Sequence, residues 1–134
     1  MPQFRFSEAA RLLGVSDDTV RRWVDAGLLP AGVDAAGRKA VEGADLAKFA
    51  KAQAVEVADP SDVGRSARNQ FVGLVTEVIA DKVMAQVELQ CGPHRVVSLM
   101  SAEAVRELGL APGVLAVAVV KSTHVVVETP GGRS

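Results

Sequence analysis

The chain has 134 residues, enough for one ordinary domain or two small ones. Its 49% hydrophobic and 23% charged residues are typical of a folded soluble protein, and no apolar stretch is long enough to span a bilayer. The formal net charge is −1, so the total charge does not by itself indicate a nucleic-acid partner. Cys91 is the single cysteine and the start of the chain has no signal-peptide pattern, so we expect a cytoplasmic protein without an internal disulfide or membrane contact.

The spacing of apolar residues changes along the chain and predicts two domains. Before about residue 53 the apolar positions recur at helical spacing, whereas after about residue 69 they alternate or form Val-rich runs typical of strands. Residues 53–64 are acidic and contain a proline and a glycine, which predicts a linker. We therefore expect an α+β protein with domains at 1–52 and 65–129 and a flexible tail at 130–134.

The first domain begins with the pattern of two short helices. Ser7 is a suitable N-cap for a helix that runs to Leu13 and ends at Gly14. Ser16 caps a second helix, which Gly27 ends. The turn of about three residues between them predicts a helix-turn-helix, whose second helix enters the major groove of DNA.

The second helix has one apolar and one polar face. Trp23 lies in the apolar stripe, and we interpret it as a core residue. Arg21 and Arg22 project from the opposite face, where a guanidinium can pair with guanine or phosphate. The alternative is a solvated face on which Asp18 and Asp25 offset the two arginines.

A wing and a third helix complete the predicted first domain. Turn-forming and basic residues at 34–39 predict the wing, and residues 43–52 predict the helix. Residues 1–52 contain eight basic and seven acidic side chains. DNA affinity must therefore come from the arrangement of particular side chains rather than from net charge. The predicted DNA contacts lie on the second helix and the wing: Ser16, Thr19, Arg21, Arg22, Arg38 and Lys39.

Three motifs follow one another in this segment. They are Phe6-Ser7-Glu8-Ala9-Ala10-Arg11-Leu12-Leu13-Gly14-Val15-Ser16, Thr19-Val20-Arg21-Arg22-Trp23 and Gly27-Leu28-Leu29-Pro30. Over residues 4–52 their order resembles the winged helix of the MerR and excisionase type, which implies binding to double-stranded DNA. The long dimerising helix of a MerR regulator is not recognisable after residue 52. We therefore expect any dimerisation to come from another part of the chain.

The second domain has the pattern of a small β-barrel. A helix at 101–108 separates the third predicted strand from the fourth. The fourth strand is apolar throughout, so we expect it to be buried on both faces. This arrangement is typical of an OB-like barrel. The five predicted strands are Phe71–Ile79, Val83–Leu89, Arg95–Met100, Val114–Lys121 and Val125–Thr129.

Two donor-rich clusters stand at strand ends in this domain. Ser66-Ala67-Arg68-Asn69 precedes the first strand and Lys121-Ser122-Thr123 follows the fourth. The clusters supply hydroxyl, amide, guanidinium and ammonium donors and no carboxylate, which suits a tetrahedral dianion and gives a metal cation no adequate ligands. His94 and His124 have no acidic or cysteine neighbours of the kind that a metal site needs. The predicted oxyanion-binding residues are Ser66, Ala67, Arg68, Asn69, Lys121 and Ser122.

Three motifs carry a second resemblance. They are Ser66-Ala67-Arg68-Asn69-Gln70 with Gly73, Glu107-Leu108-Gly109-Leu110-Ala111-Pro112-Gly113, and Lys121-Ser122 before Val125. Over residues 65–129 they resemble the molybdate-binding Mop or TOBE family. The resemblance implies molybdate or tungstate as the bound ligand without an organic cofactor, at a site between subunits of a homo-oligomer, from a dimer to a hexamer, that forms through the C-terminal domain. Ser66, Ala67, Arg68, Lys121 and Ser122 match the family's ligand positions, whereas Thr123-His124 departs from its pattern.

Together the two domains predict a molybdate-responsive, DNA-binding transcriptional regulator. The alternative is a cytoplasmic protein that stores or buffers molybdate and uses its N-terminal domain for other interactions. A third interpretation keeps the fold without the ligand, with Arg68 paired to Glu128 and Lys121 as surface charge. The sequence has no phosphate loop, no recognisable nucleophile and base pair and no metal cluster, so catalysis is not expected.

Overall fold

The structure is a computed structural model that describes residues 2–54, 58, 64 and 67–130. The chain divides into two compact units, Met1–Glu56 and Val57–Ser134, and each has its own hydrophobic core. Most of the predicted linker and the tail after residue 130 lie outside the described residues. In the part that is described, no helix is both long enough and apolar enough to cross a membrane.

The N-terminal unit combines three helices with a small antiparallel sheet, whose strand order is β1-β3-β2. The predicted helix-turn-helix, wing and third helix are confirmed, and β1 is an element that the sequence did not predict. The third helix extends one residue into the predicted linker, to Gln53. In chain order the elements are β1 (Gln3–Arg5), α1 (Phe6–Leu13), α2 (Asp17–Asp25), β2 (Gly32–Val33), β3 (Lys39–Glu42) and α3 (Gly43–Gln53).

Helix α1 begins earlier than the sequence predicted. Arg5 is its N-cap and Ser7 lies inside the helix, so the predicted Ser7 cap is wrong. The strand β1 runs directly into the helix, and the Glu8 carboxylate accepts the Arg5 backbone N–H at 3.0 Å. A carboxylate at the third helical position can satisfy the amide of the capping residue in this way.

The core of the N-terminal unit forms where the three helices pack against β3. Trp23 packs against this core, and its ring centroid lies 4.8 Å from that of Phe49. The interpretation of Trp23 as a core residue is therefore confirmed. The buried members are Phe6, Ala9, Ala10, Val20, Leu29, Val41, Leu46 and Phe49.

The C-terminal unit is one antiparallel sheet of four strands in the order β6-β5-β4-β7. Helix α4 packs on it through Val105, which contributes to a core with Val75, Val87 and Leu89. The α+β class, a helix-turn-helix domain followed by an OB-like β domain, is confirmed. The elements are β4 (Asn69–Ala80), β5 (Met84–Cys91), β6 (His94–Ser101), α4 (Ala102–Leu108), β7 (Leu115–Val120) and a 3-10 turn at Ser122–His124.

Two predictions for the end of this unit are wrong. Residues 125–129 do not form a fifth strand, although the backbone of Val125 is extended, and Val126 and Val127 are 82% and 84% exposed. Strand β7 is not buried on both faces, because it lies at the edge of the sheet and its Leu115 and Val119 are 49% and 44% exposed. The apolar residues of both segments indicate that they need to pack against another surface. Hydrophobicity alone does not show whether that surface belongs to the same chain.

Cys91 is the last residue of β5, directly before the turn to β6. Only 7% of its surface is exposed, and its Sγ donates to the Phe71 carbonyl oxygen at 3.6 Å. Burial raises the pKa of the Cys91 thiol. A buried thiol with a raised pKa has little thiolate character, which agrees with an unreactive structural cysteine.

Strands β4 and β5 approach closely at Gly73. A Cβ at this position would lie 2.3 Å from the Gln90 carbonyl oxygen and 2.7 Å from the Cys91 Sγ. Because backbone must move to make room, we expect Gly73→Ala to lower the free energy of unfolding by about 1–3 kcal/mol, as measured by urea denaturation. Gly64→Ala, whose Cβ would meet no atom of the described residues within 4 Å, is the control and should unfold like the wild type. Equal stability of the two variants would contradict the close approach.

Candidate functional site

The pairing of β4 with β7 brings the two donor-rich clusters together. Asn69, the first residue of β4, lies opposite Val120, the last residue of β7. The Asn69 side-chain amide also donates to the Val120 carbonyl oxygen at 3.2 Å. Because the two strands are antiparallel, the residues before β4 and those after β7 meet at one end of the sheet.

The predicted oxyanion residues differ in their exposure at this end of the sheet. Arg68, Lys121 and Ser122 are exposed, whereas Ala67 and Asn69 are half-buried. The Lys121 carbonyl oxygen accepts the His124 N–H at 2.9 Å and closes the 3-10 turn. This turn fixes the direction of the chain immediately after β7. Ser66, which the sequence also places in the site, lies outside the described residues.

The two segments that meet at this end of the sheet carry positive side chains. Arg68 and Lys121 supply a guanidinium and an ammonium, and neither residues 67–69 nor residues 121–123 include a carboxylate. In the described part of the chain there is also no group of three or more His, Cys, Asp or Glu side chains that could hold a metal ion. The chemistry of these donors suits an anion. In one copy of the chain, however, solvent screens both cations.

The polar face of α2 contains a chain of hydrogen bonds. Ser16 Oγ caps the helix by accepting the Thr19 backbone N–H at 3.2 Å, and it lies 2.9 Å from Thr19 Oγ1. Arg22 Nη2 donates to the same Thr19 oxygen at 3.1 Å. Arg21 instead lies near a carboxylate, with its Nη1 3.7 Å from Asp18 Oδ1. The predicted offset by an acidic neighbour therefore applies to Arg21, whereas a neutral hydroxyl holds Arg22.

The wing presents two further basic side chains. Asp34 Oδ1 accepts the backbone N–H groups of Ala36 and Arg38, both at 2.9 Å, and Gly37 adopts a φ of 79°. The hydrogen bond from Arg38 is the main reason that the pKa of Asp34 is lowered. These bonds fix the turn that exposes Arg38 and Lys39. The sequence predicted a turn at residues 34–39, and aspartate followed three residues later by glycine is one of its turn signals.

Comparisons with known proteins find relatives of both units. Residues 4–54 match the helix-turn-helix domain family, and residues 65–127 match the TOBE domain family. Molybdenum-pterin-binding protein 2 of Clostridium pasteurianum is 41% identical over 63 residues, which are 46% of this chain and 93% of the relative. The chain belongs to the Mop/TOBE family. Molybdenum-pterin-binding protein 3 of the same organism is 40% identical over 63 residues, again 93% of its length.

Three solved structures also match about half of this chain. MopII from Clostridium pasteurianum is 39% identical, with a TM-score of 0.46, and the match covers 49% of this chain and 100% of that one. A molybdate-binding protein from Sporomusa ovata is 28% identical with a TM-score of 0.48, covering 50% and 100%. The cytoplasmic molybdate-binding protein ModG, with molybdate bound, is 40% identical with a TM-score of 0.45, covering 48% and 46%.

The family matches confirm the fused architecture that the sequence resemblances predicted. The predicted Mop/TOBE segment, 65–129, and the predicted helix-turn-helix segment, 4–52, differ from the matched ranges by two residues each, at their C-terminal ends. Arg68 and Lys121 both lie within the matched Mop/TOBE range. The candidate oxyanion site is therefore part of the domain that this chain shares with molybdenum-pterin-binding proteins.

Proposed function

We propose that the protein binds molybdate or tungstate through its Mop/TOBE domain and regulates transcription through its helix-turn-helix domain. The observation that supports oxyanion binding is the pairing of Asn69 with Val120, which holds two donor-rich segments without a carboxylate side by side. The names of the relatives support the choice of ligand. No organic cofactor enters this proposal, and we place the protein in the cytoplasm.

A tetrahedral dianion fits the chemistry of the two segments. Its oxygens accept hydrogen bonds, and Arg68, Lys121 and Ser122 supply cationic and hydroxyl donors. Such bonds compensate for the hydrogen bonds to water that the anion loses on binding. Calorimetric titration of the full chain with molybdate, tungstate and sulfate tests this part. We expect molybdate and tungstate to bind, and a molybdate titration without heat of binding at several temperatures would contradict the proposal.

The candidate site needs a second copy of the chain. Arg68 and Lys121 are exposed, so a single copy would hold the anion against open water, where charge attraction is weak. A second surface that excludes water would strengthen the same hydrogen bonds. We therefore propose that the site lies between Mop/TOBE domains of a homo-oligomer, from a dimer to a hexamer.

The edges of the Mop/TOBE sheet offer a surface for this assembly. Within residues 67–130, β7 pairs with β4 alone and β6 with β5 alone. A cavity of about 480 Å³ is lined by side chains of both edge strands and by Leu108 and Leu110. An inserted strand satisfies backbone edges and fills an apolar cleft at the same time. Residues 125–129, which are valine-rich and begin with the extended backbone of Val125, are the segment that we propose a second copy inserts there.

Assembly also bears on DNA binding. One helix-turn-helix domain with balanced charge gains little from phosphate attraction, so a single copy should bind DNA weakly. Two copies tethered by an oligomeric Mop/TOBE domain bind with a much higher effective concentration. An oxyanion that stabilises one packed arrangement of subunits would then change the affinity for DNA. Operator affinity at fixed salt, with and without saturating molybdate, tests this coupling, and identical values would contradict it.

Replacing the two arginines of α2 should remove sequence preference. Loss of a base contact lowers binding by about 1–3 kcal/mol, so we expect Arg21→Ala/Arg22→Ala to bind an operator and a random duplex almost equally in a fluorescence anisotropy titration. Lys48→Ala/Lys51→Ala, which removes the same charge from α3, is the matched control and should keep the preference. A folded arginine variant with full preference for the operator would show that the assignment is wrong.

A molybdate-buffering protein is the second candidate. It is favoured by the relatives that match the C-terminal half alone, which are named for binding molybdenum compounds or molybdate. Selection from a duplex library with a randomised core separates the two functions. Enrichment of a defined sequence supports the regulator, whereas molybdate binding without enrichment supports buffering.

A further inference from the structure

We propose that Thr19 is a positioning residue that holds Arg22 ready to read a base, so that the two arginines of α2 have different tasks. The inference rests on the proposed binding of DNA by the helix-turn-helix domain. It assigns base recognition to Arg22 and the less specific contact, to phosphate, to Arg21.

The hydrogen bonds of α2 fix where the Arg22 guanidinium lies. Its Nη2 donates to Thr19 Oγ1 at 3.1 Å, so the side chain runs back toward the start of the helix. Thr19 is itself held, because its hydroxyl lies 2.9 Å from Ser16 Oγ and its backbone N–H donates to that oxygen. The N-terminal residues of a recognition helix are those that contact base edges in the major groove. Arg22 is thus placed beside the part of α2 that meets the bases.

The bond to Thr19 leaves Arg22 most of its capacity for recognition. A guanidinium has five N–H donors, and a single bond to a hydroxyl leaves enough for a bidentate pair with O6 and N7 of guanine. Holding the side chain before DNA arrives also removes part of the entropy loss that binding imposes on a long, flexible residue. Because Thr19 is neutral, it positions the guanidinium without neutralising its charge.

Arg21 has a different partner. Its Nη1 lies 3.7 Å from the Asp18 carboxylate, on an exposed surface where such an ion pair is weak. DNA phosphate can compete for this guanidinium, whose position the long contact does not fix. The geometry therefore distinguishes one pre-oriented arginine from one that is free to follow the backbone.

Thr19→Val removes the hydroxyl while keeping the shape of the side chain and the capping N–H. Nitrogen-15 relaxation of the Arg22 Nε in the free, full-length protein should show an ordered side chain in the wild type and a mobile one in Thr19→Val. Thr19→Ser, which keeps the hydroxyl, should restore the order. Equal order of Arg22 in the wild type and Thr19→Val would overturn the positioning role, whether or not the protein binds DNA.

The DNA readout uses the duplex that the wild type enriches from a randomised library. We expect Thr19→Val to lose about threefold to tenfold of its preference for this duplex over a random one, while Thr19→Ser keeps it. The slope of affinity against salt should not change, because no charge is removed. If the wild type enriches a sequence and Thr19→Val keeps the full preference, the assignment of base recognition to Arg22 is wrong while DNA binding stands. A wild type that enriches no sequence overturns both the proposed DNA function and the base-reading role of Arg22.

Discussion

Replacing Arg68 or Lys121 by alanine is expected to weaken molybdate binding at least about tenfold, because a hydrogen bond to a charged group contributes about 1.5–3 kcal/mol. The double variant should lose about a hundredfold or more if the two contacts act independently. Both side chains are exposed in one copy of the chain, so neither change should lower the stability of the Mop/TOBE sheet. Isothermal titration calorimetry with molybdate measures the effect, and thermal unfolding without ligand verifies the fold.

Lys82→Ala is the matched control for this prediction. Lys82 is also exposed, but it follows the end of β4, whereas Arg68 precedes its start, so the two lie at opposite ends of that strand. It should bind molybdate like the wild type. Arg68→Lys separates charge from geometry, because lysine keeps the positive charge and loses the planar fork of donors. Wild-type affinity for molybdate in both Arg68→Ala and Lys121→Ala would show that these residues do not bind the oxyanion.

The local structure of the N-terminal domain follows from the sequence with one instructive exception. Cap residues and apolar spacing predict α1 and α2 because helices depend on neighbours three and four positions away. Strand β1 depends instead on β3, and the Gln3 side-chain amide donates to the Glu42 carboxylate, 39 positions along the chain, at 2.8 Å. A three-residue strand of this kind leaves no periodic signal. The N-cap of α1 was wrongly predicted at Ser7 because β1, which runs directly into the helix, was not recognised.

The oxyanion site shows a similar division. The sequence identifies two clusters of donors at strand ends, but a one-dimensional pattern does not state which strand ends are neighbours. The antiparallel pairing of Asn69 with Val120 shows which strand ends are neighbours. At the level of the sequence, only the family resemblance placed the two clusters in one site. The hydrogen bond from Arg22 to Thr19 could not be predicted from the sequence either, because it depends on the rotamers of both side chains.

The assembly of the protein should depend on residues 125–129, and a single proline there is expected to abolish it. Proline lacks the backbone N–H that an inserted strand donates, so Val126→Pro should prevent pairing with another sheet. Val126 is highly exposed and lies outside β4–β7, so its own sheet should fold unchanged. We expect sedimentation of the full chain to show an oligomer for the wild type and a monomer for Val126→Pro. Val126→Thr, which keeps the N–H and a β-branched side chain, should remain oligomeric.

The dimensions of the segment support this expectation. Five extended residues span about 17 Å, close to the length of the six-residue edge strand β7. The exposed valines would enter the cleft between the edge strands, and the same step would cover Leu115 and Val119. A hairpin of residues 125–129 on their own β7 would also close the sheet, but it would leave the wild type monomeric. A monomeric wild type, both with and without molybdate, therefore excludes exchange between copies.

Loss of assembly should also weaken oxyanion binding. Residues 125–129 follow directly on the turn that contains Lys121 and Ser122, so a strand inserted into a second copy brings these donors to the interface. In Val126→Pro the cations remain present but exposed to water, where their attraction for a dianion is screened. We therefore expect molybdate affinity to fall in Val126→Pro about as far as in Arg68→Ala, although no ligand side chain is changed. Wild-type affinity in a monomeric Val126→Pro would place the complete site within one chain and refute a site between subunits.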